Sequence, residues 1–271
     1  MKYLAMAAVI AGLGGATPAF AQSEEWTPLT KDFFGELTAP WIPVPNGDSG
    51  APRQGWLATA DGFFTREAHL AYSYTDATAE THEVLARFNY PLSRRFWIGT
   101  ELPFYRDVGG ESDVGDATIT TQVMLLENRN LSVNAGVGWR IPVGSRDVGG
   151  GVFAAEPQLN FWTDVGSGFA LRGRVSYAFP DSGVDESFAL NFAIGQTFTD
   201  HDKAPLGDLT WYISGNWRES LSGPGSYVSI TPGVRTHLGG NLFALAGIEI
   251  PLTDPDNSFR ERFIFQLVQG F

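Results

Sequence analysis

An antiparallel, all-β transmembrane barrel of about twelve strands, of the outer-membrane type, is the fold class this sequence predicts. Three observations predict it: a secretory leader, a series of alternating apolar and polar segments from residue 63 onward, and an alternating aromatic C-terminus. A period of two gives a strand one apolar and one polar face. A soluble sheet shares that pattern, so the chain ends and the connections between segments decide the class.

Residues 1–21 read as a signal peptide. Lys2 supplies the positive n-region, and "YLAMAAVIAGLGG" is an apolar stretch too short to span a bilayer. Ala19 and Ala21 take the small-residue positions of a cleavage site before Gln22. The chain has no cysteine, which excludes a lipoprotein anchor, a disulfide framework and thiolate chemistry. Beyond the leader, no stretch approaches the roughly 18 apolar residues of a transmembrane helix. Barrel strands escape such a scan, because lipid-facing and lumen-facing residues alternate and average out. Formal charge is −12, or −13 once Lys2 leaves with the leader, and that balance excludes nucleic acid as a partner.

Residues 22–62 form a separate N-terminal zone. "PWIPVPNGDSGAPRQG" is too rich in Pro and Gly for a helix or a central strand. Two readings stand for it, a periplasmic tail and a segment folded into a lumen.

Residues 63–271 carry the barrel as twelve segments: 65–75, 80–92, 94–106, 116–126, 131–143, 152–163, 169–179, 187–199, 208–218, 226–238, 241–252 and 259–271. In "LSVNAGVGWRI", Leu131, Val133, Ala135, Val137, Trp139 and Ile141 share one face against Ser132, Asn134, Gly136, Gly138 and Arg140. "FALRGRVSYAF" sets Leu171, Val175, Tyr177 and Phe179 against Arg172, Arg174 and Ser176. Faces carrying Gly136, Gly138, Arg172 and Arg174 would make a poor sandwich core. The connections "LSRR", "ENRN", "GSG" and "GGN" are tight, and those between them are longer and mostly acidic. "DHDKAPLG" breaks this rule, being long where a short turn is due. Short periplasmic turns and longer outside loops characterise outer-membrane barrels, and an even strand number puts both ends in the periplasm.

The chain closes on "RERFIFQLVQGF". Phe263, Phe265, Leu267 and Phe271 share one parity, and this ending resembles the C-terminal signal read by the barrel-assembly machinery. Three further stretches resemble one outer-membrane family. "FWIGTELPFYRD" carries a Leu102-Pro103-Phe104 step, and "SDVGDATITTQVML" opens a strand at Gly115-Asp116. "VGWRIPVGSRDVGGG" has Ile141-Pro142-Val143-Gly144 where the family has Leu-Pro-Thr-Gly. The family is that of the outer-membrane β-barrel transporters linked with the meta-pathway of phenol degradation, and the resemblance covers residues 64–271. It implies an outer-membrane channel for small molecules, aromatic or anionic compounds among them. The family name records a genetic association, so no substrate comes with it.

By parity the lumen face collects Arg87, Arg95, Arg140, Arg172, Arg174, Arg218 and Arg235, with Arg260 and Arg262 beyond them. It also collects Glu83, Glu101, Glu156 and Glu249, with Glu67 and Asp116. This face tips basic in an acidic chain. An arginine-rich interior favours anions along a conducting path. Alternatively, Arg and Glu pair across strands and fill the bore, since twelve strands lie between a filled barrel and an open pore. A structural or adhesive barrel without transport is the competing class, although the outside loops are short for an adhesin. Lipid hydrolysis is the remaining one. His82 has lipid-face parity, but no serine pairs with it at matching depth. His69, His201 and His237 lack metal-ligand spacing, and "DVGGESDVGD" lacks the order of an EF-hand. No enzyme activity, metal or cofactor is expected. The expected partners are outer-membrane lipids and lipopolysaccharide, the assembly machinery and a small-molecule permeant.

Overall fold

Twelve long strands, each hydrogen-bonded to its neighbours, are what alternating sequence of this length can build when one face meets lipid and the other a lumen. The computed structural model describes residues 25–61, 63–181, 184–221, 226–253 and 259–271. The signal peptide expected at 1–21 lies outside these residues. The strands are β1 (Glu67–Asp76), β2 (Thr81–Pro91), β3 (Phe96–Val108), a short β4 (Glu111–Asp113), β5 (Ala117–Asn128), β6 (Leu131–Ile141) and β7 (Ala154–Gly166). They continue as β8 (Phe169–Pro180), β9 (Ser187–Thr197), β10 (Gly207–Ser220), β11 (Ser226–Gly239), β12 (Leu242–Pro251) and β13 (Glu261–Gly270). All pairs are antiparallel, and β1 joins β13 from Glu67↔Gly270 to Asp76↔Glu261, which closes the ring.

The two faces differ as alternation requires. On β13, Phe263 and Phe265 are 41% and 47% exposed, while Ile264 between them is half-buried and Gln266 and Val268 beyond them are buried. Leu159, Phe179, Leu190, Phe192, Ile194, Ile213, Val234 and Ile248 continue the exposed belt around the wall. A continuous apolar belt of this kind belongs against hydrocarbon. Trp139, Phe179 and Trp217 sit near one rim and Phe88, Trp211 and Phe271 near the other, which gives the aromatic girdles of a membrane barrel.

β4 lies within one of the long acidic connections and has no alternating segment of its own. Gly109 and Gly110 have φ of 60° and 95°, the pair of positive values a two-residue hairpin turn needs. Val108 therefore pairs with Glu111, and β3 runs on past the membrane as a small ribbon. The long connection at 198–206 is held to the wall by side chains: Leu209 N–H donates to Thr199 Oγ1 at 2.7 Å, and His201 Nδ1 lies 2.8 Å from Asp208.

Residues 25–61 and 63–66 run along the short-turn rim and then into the bore. Helix α1 (Phe33–Thr38) starts at Asp32, whose carboxylate accepts from Gly35 N–H at 3.1 Å. Ala51, Trp56, Leu57, Ala60 and Phe63 then pack against inward residues of the wall, among them Trp162, Ala170, Ala193, Tyr212, Leu245 and Val268. Small inward residues on β8 and β9 leave room for this inserted chain. A second short helix, α2 (Arg146–Gly149), caps the loop between β6 and β7.

Candidate functional site

The inward faces place polar and charged groups at successive depths, and the inserted segment takes the deeper ones. Arg53 reaches Glu127 at 2.8 Å and Ser132 at 2.7 Å, with its guanidinium 4.9 Å over the Trp162 ring. Trp162 Nε1 donates to the Pro52 carbonyl at 3.0 Å, and Arg172 donates to the same carbonyl at 2.7 Å. Ser214 donates to the Leu57 carbonyl at 2.8 Å, and Trp56 stacks on Tyr212 with centroids 5.2 Å apart. At the rim, Glu36 of α1 meets Arg95 at 2.6 Å, and Ser49 meets Asp164. The segment is thus hydrogen-bonded to several strands and packed inside the short-turn half of the bore.

Above it lies a cavity of about 690 Å3 in the half nearer the long loops. Trp56, Leu57, Thr59 and Asp61 form its floor. The wall from β11 round to β3 is ion-paired. Arg87 binds Glu101 and the floor's Asp61, Arg262 binds Glu249 at 3.1 Å, and Glu83 lies 3.5 Å from Arg106. Glu249 also accepts from Tyr227 at 2.8 Å and Ser229 at 2.7 Å. The facing wall, β7 to β10, carries Arg174 and Arg218 with Asn191 and Asn216. Among the described residues neither arginine there makes an ion pair; Arg174 donates to Asn160 Oδ1 at 2.9 Å. Glu156 shares that wall, and Arg140 lies just above it beside Glu156 and Arg218.

The residues singled out by parity therefore separate into groups. Arg87, Arg174, Arg218, Glu83, Glu101, Glu156 and Glu249 line the cavity, and Arg140 sits at its upper edge. Arg95 lies in the β2–β3 turn, where it donates to the Thr30 and Met124 carbonyls. Arg172 and Arg235 are buried beneath the inserted segment. With these withdrawn, the cavity lining sets four arginines against five carboxylates, and it no longer tips basic as the whole face does. His82 points outward and bonds the Tyr72 hydroxyl at 2.9 Å. Phe263 and Phe265 lie in the lipid belt with Leu267, while Phe271 stacks on Phe88 at 5.3 Å. Sequence reasoning missed Asp61 as a partner of Arg87 and Trp56 as the cavity floor. The only signal was a Trp and an Asp in a Pro- and Gly-rich stretch.

Residues 45–257 match the family model described as "Putative MetA-pathway of phenol degradation". The chain belongs to that family. Its solved structural relatives include the COG4313 outer membrane channel from Pseudomonas putida F1, 16% identical over 79% of this chain and 98% of that one, with a TM-score of 0.59. The KdgM porin is 12% identical over 76% and 99%, with a TM-score of 0.56. The NanC porin is 8% identical over 76% and 99%, with a TM-score of 0.57. At such identities the likeness is one of fold, and the fold is that of outer-membrane porins and channels. No curated protein matches the sequence. In this family member the closed ring and the lipid belt place the chain in the outer membrane.

Proposed function

We propose that the protein is an outer-membrane channel for small organic molecules carrying a carboxylate, aromatic acids included, and that residues 25–66 hold it shut from the periplasmic side. The observation that carries this reading is the cavity with unlike walls over an aromatic floor. Among the described residues Arg174 and Arg218 are in no ion pair, Glu156 acting on Arg174 only at longer range, while the facing wall pairs its own charges. Guanidinium groups suit planar, bidentate carboxylate recognition, and Trp56 and Leu57 supply an apolar surface for the rest of the molecule. Passage then requires residues 52–61 to move, since they fill the bore below.

The reading is of a channel and not an enzyme, because His82 is bonded to Tyr72 on the lipid face and not to a nucleophile. It also takes the assembly machinery to read Phe263, Phe265, Leu267 and Phe271, and lipopolysaccharide to surround the long-loop rim. The test is uptake into vesicles carrying the refolded protein. Benzoate should enter faster than benzylamine, and the Arg174→Gln/Arg218→Gln variant should lose that preference. Equal uptake of both solutes by the wild type would refute the carboxylate reading. Uptake of neither would leave a structural barrel.

A further inference from the structure

Arg172 and Arg235 are fully buried, 0% and 1% exposed, deep in the bore of a membrane protein. The other buried arginines are ion-paired: Arg53 and Arg94 with Glu127, and Arg95 of the β2–β3 turn with Glu36. Among the described residues these two make no ion pair. Arg172 is held by the Pro52 carbonyl at 2.7 Å and the Arg53 carbonyl at 3.4 Å, with its guanidinium 4.1 Å over Trp56. Arg235 is held by Gln54 Oε1 at 3.3 Å and lies 4.1 Å over Phe243. Arg172 Nε, Arg235 Nε and Arg235 Nη1 have no acceptor. Asp61 and Glu67 act on Arg172 only at longer range, while Arg235 acts on it as a like charge.

In direct contact the two buried cations thus meet only neutral groups, nearly all of them on the inserted segment, while Asp208 and Glu67 act on Arg235 from beyond ion-pair distance. An unpaired charge taken out of water is strongly unfavourable, and an ionisable residue inside a membrane protein marks a functional site with a partner to be named. We propose that Arg172 and Arg235 form a second, concealed anion site, exposed when residues 52–57 leave, and that a permeant carboxylate bound there favours the open channel. This rests on the channel reading above. When residues 52–61 leave, Arg53 and Asp61 leave with them, and Arg172 and Arg235 join the path with no carboxylate in ion-pair contact among the described residues, while Glu67 and Glu127 are uncovered elsewhere on the wall. A carboxylate accepts from a guanidinium more strongly than a carbonyl does. A ligand that binds only the open state shifts the population toward it, so entry of the permeant and release of the segment become linked.

The chain has no cysteine, so Ala51→Cys gives one buried thiol on the inserted segment. Its labelling by a water-soluble maleimide, in the full-length protein in vesicles, reports release of the segment. Benzoate should raise the labelling rate by about tenfold, the shift expected of a ligand with a correspondingly higher affinity for the open state. Benzyl alcohol should leave the rate unchanged. Adding Arg172→Gln and Arg235→Gln should raise basal labelling, because the carbonyl and amide contacts go, and abolish the benzoate response. If the Gln pair does not assemble, Arg172→Lys/Arg235→Lys should respond only at higher benzoate, since Lys lacks the planar fork. A benzoate response that survives unshifted in both pairs overturns the proposal. Labelling that benzoate never changes in the wild type overturns it while leaving a channel. No labelling together with no conductance overturns both.

Discussion

At the scale of single residues, the inserted segment is fixed by buried ion pairs. Arg53 and Glu127 meet at 2.8 Å with side chains 1% and 2% exposed, and Arg94 stands 3.5 Å from the same carboxylate. Arg53→Gln leaves Glu127 buried with the weaker partner, and removing one member of such a pair costs about 3–5 kcal/mol. The Arg53→Gln/Glu127→Gln variant should recover part of that loss, because neither charge is then stranded. Urea unfolding in lipid vesicles measures both. Equal midpoints for wild type and single variant would mean that this clamp holds nothing. The wall residues of the candidate site were legible from parity alone, Arg174, Arg218, Glu83 and Glu249 among them. Their partners were not. Arg87 to Asp61 spans 26 positions and Arg53 to Glu127 spans 74, and no local pattern encodes such pairings.

At the scale of elements, alternation carried the strands because polar residues on the outward face are costly near the bilayer midplane. That constraint acts along the twelve long strands and is absent elsewhere. The three residues of β4 are too few to show a period, and residues 25–66 have none, so their path through the lumen had no signature. Facing is testable directly. Val137 and Val175 point to lipid, between rows that carry Gly138 and Ser176 inward. Val137→Arg or Val175→Arg should cost about 2–4 kcal/mol near the midplane, and Ser176→Arg should cost less. Urea unfolding showing equal losses at both sets would reverse the assignment of inside and outside. The last strand makes a separate claim. Phe271 N–H reaches the Arg66 carbonyl at 3.3 Å and its ring stacks on Phe88, so it also closes the seam of the barrel. Deleting Phe271 should lower assembled barrel in cells while leaving refolding in detergent largely intact. Loss of both to the same degree would make Phe271 a packing residue and not a recognition signal.

At the scale of the whole molecule, the barrel supplies a bore and the N-terminal segment decides what the bore exposes. Its closed form presents a cavity of mixed charge to the outside, and its lower half is packed by Trp56, Leu57 and Phe63 against the wall. On the closure proposed above, conduction depends on where residues 25–61 lie, and the most direct measurement is single-channel recording of the refolded full-length barrel beside one lacking those residues. The full-length protein should show a small, intermittent conductance with little ion preference. The shortened barrel should conduct steadily and more, and its reversal potential in a salt gradient should lie on the anion side, because Arg172 and Arg235 then face the path. Identical conductance and selectivity in the two proteins would contradict the account.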